Sequence, residues 1–159
     1  MDSITAINTV RDSLRTNLVD PYVTAGGNAR GGDFWIYSDE PIMGAKFPQI
    51  QLEKIDNPSM PITMGPEYWE HEELYINIWF NSKNGFKITE SAVEYKNAQL
   101  VERYLGKIKT TLKGQFTALQ TAGVGGYKHV NTTTVAYDKE TQLYYGAVTV
   151  RVWYFNNES

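Results

Sequence analysis

Apolar positions recur along residues 3–18 at steps of three and four: Ile4, Ile7, Val10, Leu14 and Leu18. That spacing puts one hydrophobic stripe on an α-helix. Asp2 or Ser3 is placed to cap it, and Pro21 to stop it. The run AGGNARGGD, residues 25–33, is too rich in glycine for regular structure and reads as a flexible loop. Phe34 to Ser38 reads as a short strand and Asp39 to Ala45 as a second loop. Residues 48–55 form a strand with Ile50 and Leu52 on one face. Three prolines and a glycine in residues 56–67 rule out a helix or central strand and predict a long excursion.

The clearest strand signal spans residues 69–80. Leu74, Ile76, Ile78 and Phe80 point one way, and Glu73, Tyr75, Asn77 and Trp79 the other. A turn at 82–85 follows. A long helix is expected from about 91 to 119, opened by a Ser91/Glu94 capping box and carrying Val101, Leu105, Ile108, Leu112, Phe116 and Leu119 on one face. Gly123, Gly125 and Gly126 end that segment. The last quarter reads as a hairpin of 127–137 and 142–155 about a turn at Asp138–Thr141. Val148, Val150, Val152 and Tyr154 form one face of its second strand, and Thr149, Arg151, Trp153 and Phe155 the other. Large side chains on both faces imply a strand covered on both sides, with a partner subunit as one possible cover. The order is α-β-β-β-α-β-β. It predicts an α+β fold over residues 1–159 as a single domain: one mixed, mostly antiparallel sheet with two helices packed on one face.

Composition narrows the function classes. A chain of 159 residues buries enough surface to fold without a staple. Aromatics make up 13% of it, with 11 Tyr and 4 Trp concentrated in the strands, a composition that also suits protein interfaces. The absence of cysteine removes disulfides, thiolate metal sites and a cysteine nucleophile. The first residues have no signal-peptide pattern, and no run approaches a membrane span of ~20 apolar residues, so a soluble, non-exported chain is expected. A net charge of −3 argues against a free-standing nucleic-acid binder.

No motif supplies a reaction. Glu70-His71-Glu72-Glu73 is the densest polar cluster, but strand alternation sends His71 and Glu73 to one face and Glu70 and Glu72 to the other. Neither glycine cluster has the ending or the following helix of a phosphate loop. There is no G-x-S-x-G. The carboxylate pairs Asp39-Glu40 and Glu72-Glu73 read as surface charge, and Asn131-Thr132-Thr133 and Asn157-Glu158-Ser159 as incidental sequons. Lys107, Lys109 and Lys113, balanced by Glu90, Glu94 and Glu102, read as a solvated helix face. No catalytic residue, cofactor or metal is expected.

The order of elements carries more than any motif. A helix leads into a glycine-rich loop. The short strand in IYSDEP (36–41) is followed by FPQIQL (47–52), and a Pro-rich excursion precedes ELYINIWF (73–80). A long helix and a hairpin ending in VTVRVWYF (148–155) complete the chain. This architecture resembles the tail terminator, or tail-completion, proteins of long-tailed, siphovirus- or myovirus-like viruses of bacteria and archaea. The resemblance is one of architecture and size over most of the chain. It implies a non-enzymatic structural protein of the virion neck, assembled in the host cytoplasm without a membrane. Its partners would be further copies in a hexameric ring, the tail-tube protein that the ring caps, and the head–tail connector proteins. DNA would pass through the lumen without specific contacts. In that setting Met60, Met64, Trp69, Trp79, Arg151, Trp153 and Phe155 are the assembly-interface candidates. The competing readings are a head–tail adaptor or tail-tube protein, a small carbohydrate- or ligand-binding module using exposed Trp and Tyr, and an enzyme with a nonstandard carboxylate site.

Overall fold

The computed structural model describes residues 1–24, 30, 34–38, 44–55 and 70–156. In chain order these form α1 (Ser3–Asn17), α2 (Pro21–Thr24), β1 (Ile36–Tyr37), β2 (Gln49–Ile55), β3 (Glu70–Lys83), β4 (Lys87–Glu90), β5 (Val93–Lys96), α3 (Asn97–Gly114), α4 (Phe116–Thr121), β6 (Val124–Thr132), β7 (Ala136–Asp138) and β8 (Leu143–Asn156). The fold is α+β. The main sheet runs β1-β2-β3-β8-β6, with β7 also paired to β8. It is antiparallel except for β1 on β2. The glycine-rich loop other than Arg30, residues 39–43 of the second loop and the Pro-rich excursion lie outside the described residues.

α1 starts where expected. The Asp2 carboxylate accepts the Thr5 N–H at 2.7 Å, and this bond holds its pKa below the ordinary aspartate range. Ala6, Ile7, Val10, Leu14 and Leu18 are buried, but Ile4 is 68% exposed. Ile4 lies roughly a quarter turn off the axis of the stripe, so the helix packs without it. Pro21 does not stop α1, which ends at Asn17 with Leu18 extended; it opens α2, where its missing N–H costs nothing.

The expected long helix begins later. Ser91 and Glu94 do not cap it. Ser91 (φ 48°) and Ala92 (φ 63°) make the two-residue turn of a β4–β5 hairpin, the left-handed pair that matches strand twist. The Glu94 carboxylate meets Lys87 at 2.9 Å across that hairpin. Helix then starts at Asn97 and breaks at Gln115. The break resets the helical phase, which is why Phe116 is 37% exposed while Leu112 and Leu119 are buried. The Glu90 carboxylate binds Lys107 and, at 3.0 Å, Arg103, fastening the hairpin to α3. Burial raises the pKa of Glu90, but these two cations outweigh it and leave it lowered. Thus Lys107 is ion-paired rather than simply solvated.

α1, α3 and α4 cover one face of the sheet. The core joins Leu52, Leu74, Ile76, Ile78, Phe80, Val148, Val150 and Val152 to Leu14, Leu100, Val101, Leu105, Ile108 and Leu112. Phe80 stacks on Tyr104 at 4.6 Å between ring centroids, and Trp35 meets Tyr104 edge-on at 6.0 Å. Opposite Phe80, Gly146 leaves room for α3: a Cβ there would sit 2.9 Å from Leu105 Cδ1. The last hairpin differs from expectation in two respects. Its first arm begins at Val124 and not at residue 127, so Gly125 and Gly126 lie within the strand. That arm is also two strands, β6 and β7, because the backbone leaves the ladder after Thr132 and rejoins at Ala136.

Candidate assembly interface

The opposite face of the sheet carries no helix among the described residues. Its side chains follow from strand alternation. On β3 these are Glu73, Tyr75, Asn77 and Trp79, set in register against Trp153, Arg151, Thr149 and Ala147 of β8. All but Ala147, which is buried, are half-buried.

Their polar tips bond to one another across the strands. Trp153 Nε1 donates to Glu73 Oε1 at 2.8 Å. Trp79 Nε1 donates to a Glu53 carboxylate oxygen on β2 at 3.1 Å. Thr149 Oγ1 donates to Asn77 Oδ1 at 2.5 Å. The Arg151 guanidinium lies over the Trp153 ring at 4.5 Å, with one terminal nitrogen 3.5 Å from Glu73 Oε2. Tyr145 extends the belt to Trp79, ring centroids 6.1 Å apart. On the far side of β8, Gly126 faces Trp153, and a Cβ there would lie 2.6 Å from the Trp153 ring. Glycine at 126 is what lets that indole lie flat on β6.

Three of the seven interface candidates are therefore on this face with described side chains: Trp79, Arg151 and Trp153. Arg151 and Trp153 touch. Trp79 sits six residues along β3 from the position opposite Trp153, about 20 Å away, so the candidates form a belt and not one cluster. Phe155 occupies the next position of that face on β8, opposite His71, with its side chain outside the described set. Met60, Met64 and Trp69 lie outside the described residues.

Two expectations need correction. Glu72 and Glu73 are not solvated surface charge. Glu72 accepts the Tyr154 hydroxyl at the edge of the helix-covered face, and Glu73 holds Trp153 and Arg151 on the other. Burial first, and the Glu72 carboxylate second, push the Tyr154 phenol well above the ordinary tyrosine range. Arg30, read within a flexible loop, is 4% exposed. It pairs with Asp20 at 2.6 Å, donates to the carbonyls of Lys46 and Pro48, and lies over the rings of Tyr22 and Trp35. An arginine between glycine pairs was its only trace in the sequence.

For chemistry, the described residues contain no group of three or more His, Asp or Glu side chains able to hold a metal. His129, exposed on β6, shares a hydrogen bond with Thr132 Oγ1 at 2.9 Å. A recess of about 640 Å³ lies beside Trp79, lined by Ile4, Ile7, Leu52, Glu53 and Asn81 among others. No described helix is long and apolar enough to cross a membrane.

No family model matches the chain, and no curated protein matches it. Among solved structures, the chain is similar to a protein chain of the virion of a native gene transfer agent particle, with 12% identity, a TM-score of 0.47 and 94% of each chain covered. A likeness at that level assigns neither role nor partner to this chain.

Proposed function

We propose that this chain is a structural subunit of a virus-like particle, a tail terminator that forms a ring on the tail tube and joins it to the head–tail connector. The observation that carries this reading is the helix-free sheet face. Two tryptophans, two tyrosines and an arginine lie there half-buried, and both indole N–H groups and Asn77 are already bonded within the face. Trp, Tyr and Arg with pre-set rotamers are the side chains that anchor protein interfaces. The element order, which resembles the tail-terminator fold, supplies the kind of assembly. In this reading the protein is not an enzyme and takes no cofactor or metal. It works in the neck of the particle with tube and connector proteins, and DNA passes its lumen. A ring needs a heterologous contact, one surface meeting a different one on the next copy.

Native mass measurement with negative-stain imaging tests this. A discrete six-fold ring is expected. Filaments would favour a tail-tube protein, and a monomer at all concentrations would remove the assembly reading. A second reading, a small carbohydrate- or ligand-binding module, draws on the recess beside Trp79, where an indole flanks polar Gln51, Glu53 and Asn81. Its expected outcome is a monomer whose tryptophan fluorescence shifts on titration with sugars.

A further inference from the structure

A recess of about 500 Å³ lies where β3 ends, between the turn after Lys83 and the segment that leads into β2. It is lined by Tyr22, Phe47 and Phe86, by Lys46 and Lys83, and by Asn84, and among the described residues no Asp or Glu lines it. Its frame is fixed. Arg30, buried and paired with Asp20, donates to the carbonyls of Lys46 and Pro48 and lies over the Tyr22 ring at 4.7 Å. Gln49 Nε2 donates to the Ala45 carbonyl at 2.9 Å, and Tyr22 meets Phe86 at 5.3 Å between ring centroids. The turn is tied at three points: Asn84 N–H to the Gln142 carbonyl at 2.9 Å, Gly85 N–H to Asn97 Oδ1 at 3.2 Å, and Phe86 N–H to the Lys83 carbonyl at 3.1 Å. The polar tips, by contrast, are unspent. Lys87, four residues on from Lys83, and Lys107 each meet a glutamate. Among the described residues Lys46 meets no carboxylate, and the Lys83 ammonium has only the Phe47 ring, 5.7 Å away. The Asn84 side-chain amide also has no partner there.

Two cations without a counter-charge set the sign of a ligand here: it is an anion. Lysine suits phosphate, which it meets as a point charge. The rings set the shape of the rest, because a planar body packs on them and every nucleobase has such a face. The free amide of Asn84 offers a donor and an acceptor side by side, the pattern that pairs with a base edge. A lone carboxylate would satisfy the lysines but leave the three rings and the amide unused. We propose that this recess binds a nucleotide unit, its phosphate on Lys46 and Lys83 and its base on the aromatic wall beside Asn84. A base must be unstacked to enter, so the source is a free nucleotide or a single strand and not the interior of a duplex. The chain's net charge of −3 is no bar, since the two lysines set the field at this recess. The site is complete within one copy and does not depend on the ring.

The test titrates the full chain with a short, fluorescently labelled oligothymidylate and follows anisotropy. Lys46→Glu and Lys83→Glu, both at exposed positions outside the core, are each expected to weaken binding at least about tenfold. Phe47→Leu, which keeps an apolar side chain but loses the ring, is expected to weaken it by about tenfold. Lys128→Glu makes the same change of net charge on the helix-free face and is expected to leave binding unchanged. A strand carrying 5-iodouracil, irradiated on the protein, is expected to join to the peptide holding Phe47 or Phe86. Thymidine monophosphate then distinguishes the sources. Competition at the strand's own concentration names a free nucleotide, and a strand at least about tenfold tighter names a nucleic acid. Four results would overturn the proposal: no binding of strand or monophosphate, equal weakening by Lys128→Glu, competition by inorganic phosphate as strong as by the monophosphate, or displacement of the strand by an acidic peptide at the same concentration. The third would mean that the rings take no part, and the fourth that the lysines await a carboxylate.

Discussion

The two faces of one sheet are built on different principles. Under the helices, Leu74, Ile76, Ile78 and Phe80 on β3 meet Val148, Val150 and Val152 on β8, all at 3% exposure or less. That face is held by apolar area removed from water. On the other face the same two strands present Glu73, Tyr75, Asn77 and Trp79 against Thr149, Arg151 and Trp153, half-buried and bonded tip to tip. The first face is finished by the chain's own helices. The second is internally ordered, with Lys128 beside an Arg151 that pairs with Glu73, and with the Arg151 Nε lacking an acceptor among the described residues. The proposed assembly role rests on this asymmetry, a sheet packed tightly on one side and carrying ordered Trp, Tyr and Arg side chains on the other.

The contrast can be broken most easily at its strongest point. Phe80 is 0% exposed and stacked on Tyr104. Phe80→Ala is expected to lower unfolding free energy by about 3–5 kcal/mol, read by urea denaturation. Gly126→Ala comes next, on the helix-free face. Its Cβ would displace the Trp153 ring, with an expected cost of about 1–3 kcal/mol and a change in tryptophan fluorescence. Trp79→Ala on the same face is expected to cost about 1–2 kcal/mol, since the indole is only half-buried and its lost partner, Glu53, is exposed and can turn to water. A Trp79→Ala loss equal to that of Phe80→Ala would mean that both faces are core, and the asymmetry would be wrong.

Much of this was legible because sheet faces follow a two-residue period. The alternation of residues 73–80 and 148–154 identified both faces, and the helix-period stripes located α1 and most of α3. The errors fell where local signals compete. Ser91-x-x-Glu94 has the letters of a capping box, but Lys87, Ile88 and Tyr95 pair better as a hairpin, buried at Ile88 and fastened by Glu90 to α3. Pro21 looked like a stop because proline is equally apt at a helix start. The pairing of Lys128 with Arg151, and the acceptor role of Glu73, depend on the register between strands, which the shifts in β6 at Gly125 and between His129 and Asn131 alter. Arg30 escaped for the same reason: its partners Asp20 and the Lys46 and Pro48 carbonyls come from two segments distant from it in sequence.

The smallest expected effect sharpens the contrast from the edge of the helix-covered face. Tyr154 is 2% exposed, and its hydroxyl donates to Glu72. With its pKa raised in the fold, the phenol stays protonated where a free tyrosine ionises, near pH 10. Below that pH the folded and unfolded chains hold the same proton, and the contribution of Tyr154 is fully present. Above it the unfolded chain loses the proton first, so stability falls as pH rises towards the folded-state value. Tyr154→Phe removes this alkaline loss and the bond to Glu72 together. Near neutral pH it is expected to cost about 0.5–1.5 kcal/mol. Between pH 9 and 11 the gap between wild type and variant should narrow, as followed by thermal unfolding. A gap that stays constant across this range would mean that Tyr154 ionises in the fold as readily as in the unfolded chain, and that this end of β8 is as open as the face carrying Arg151.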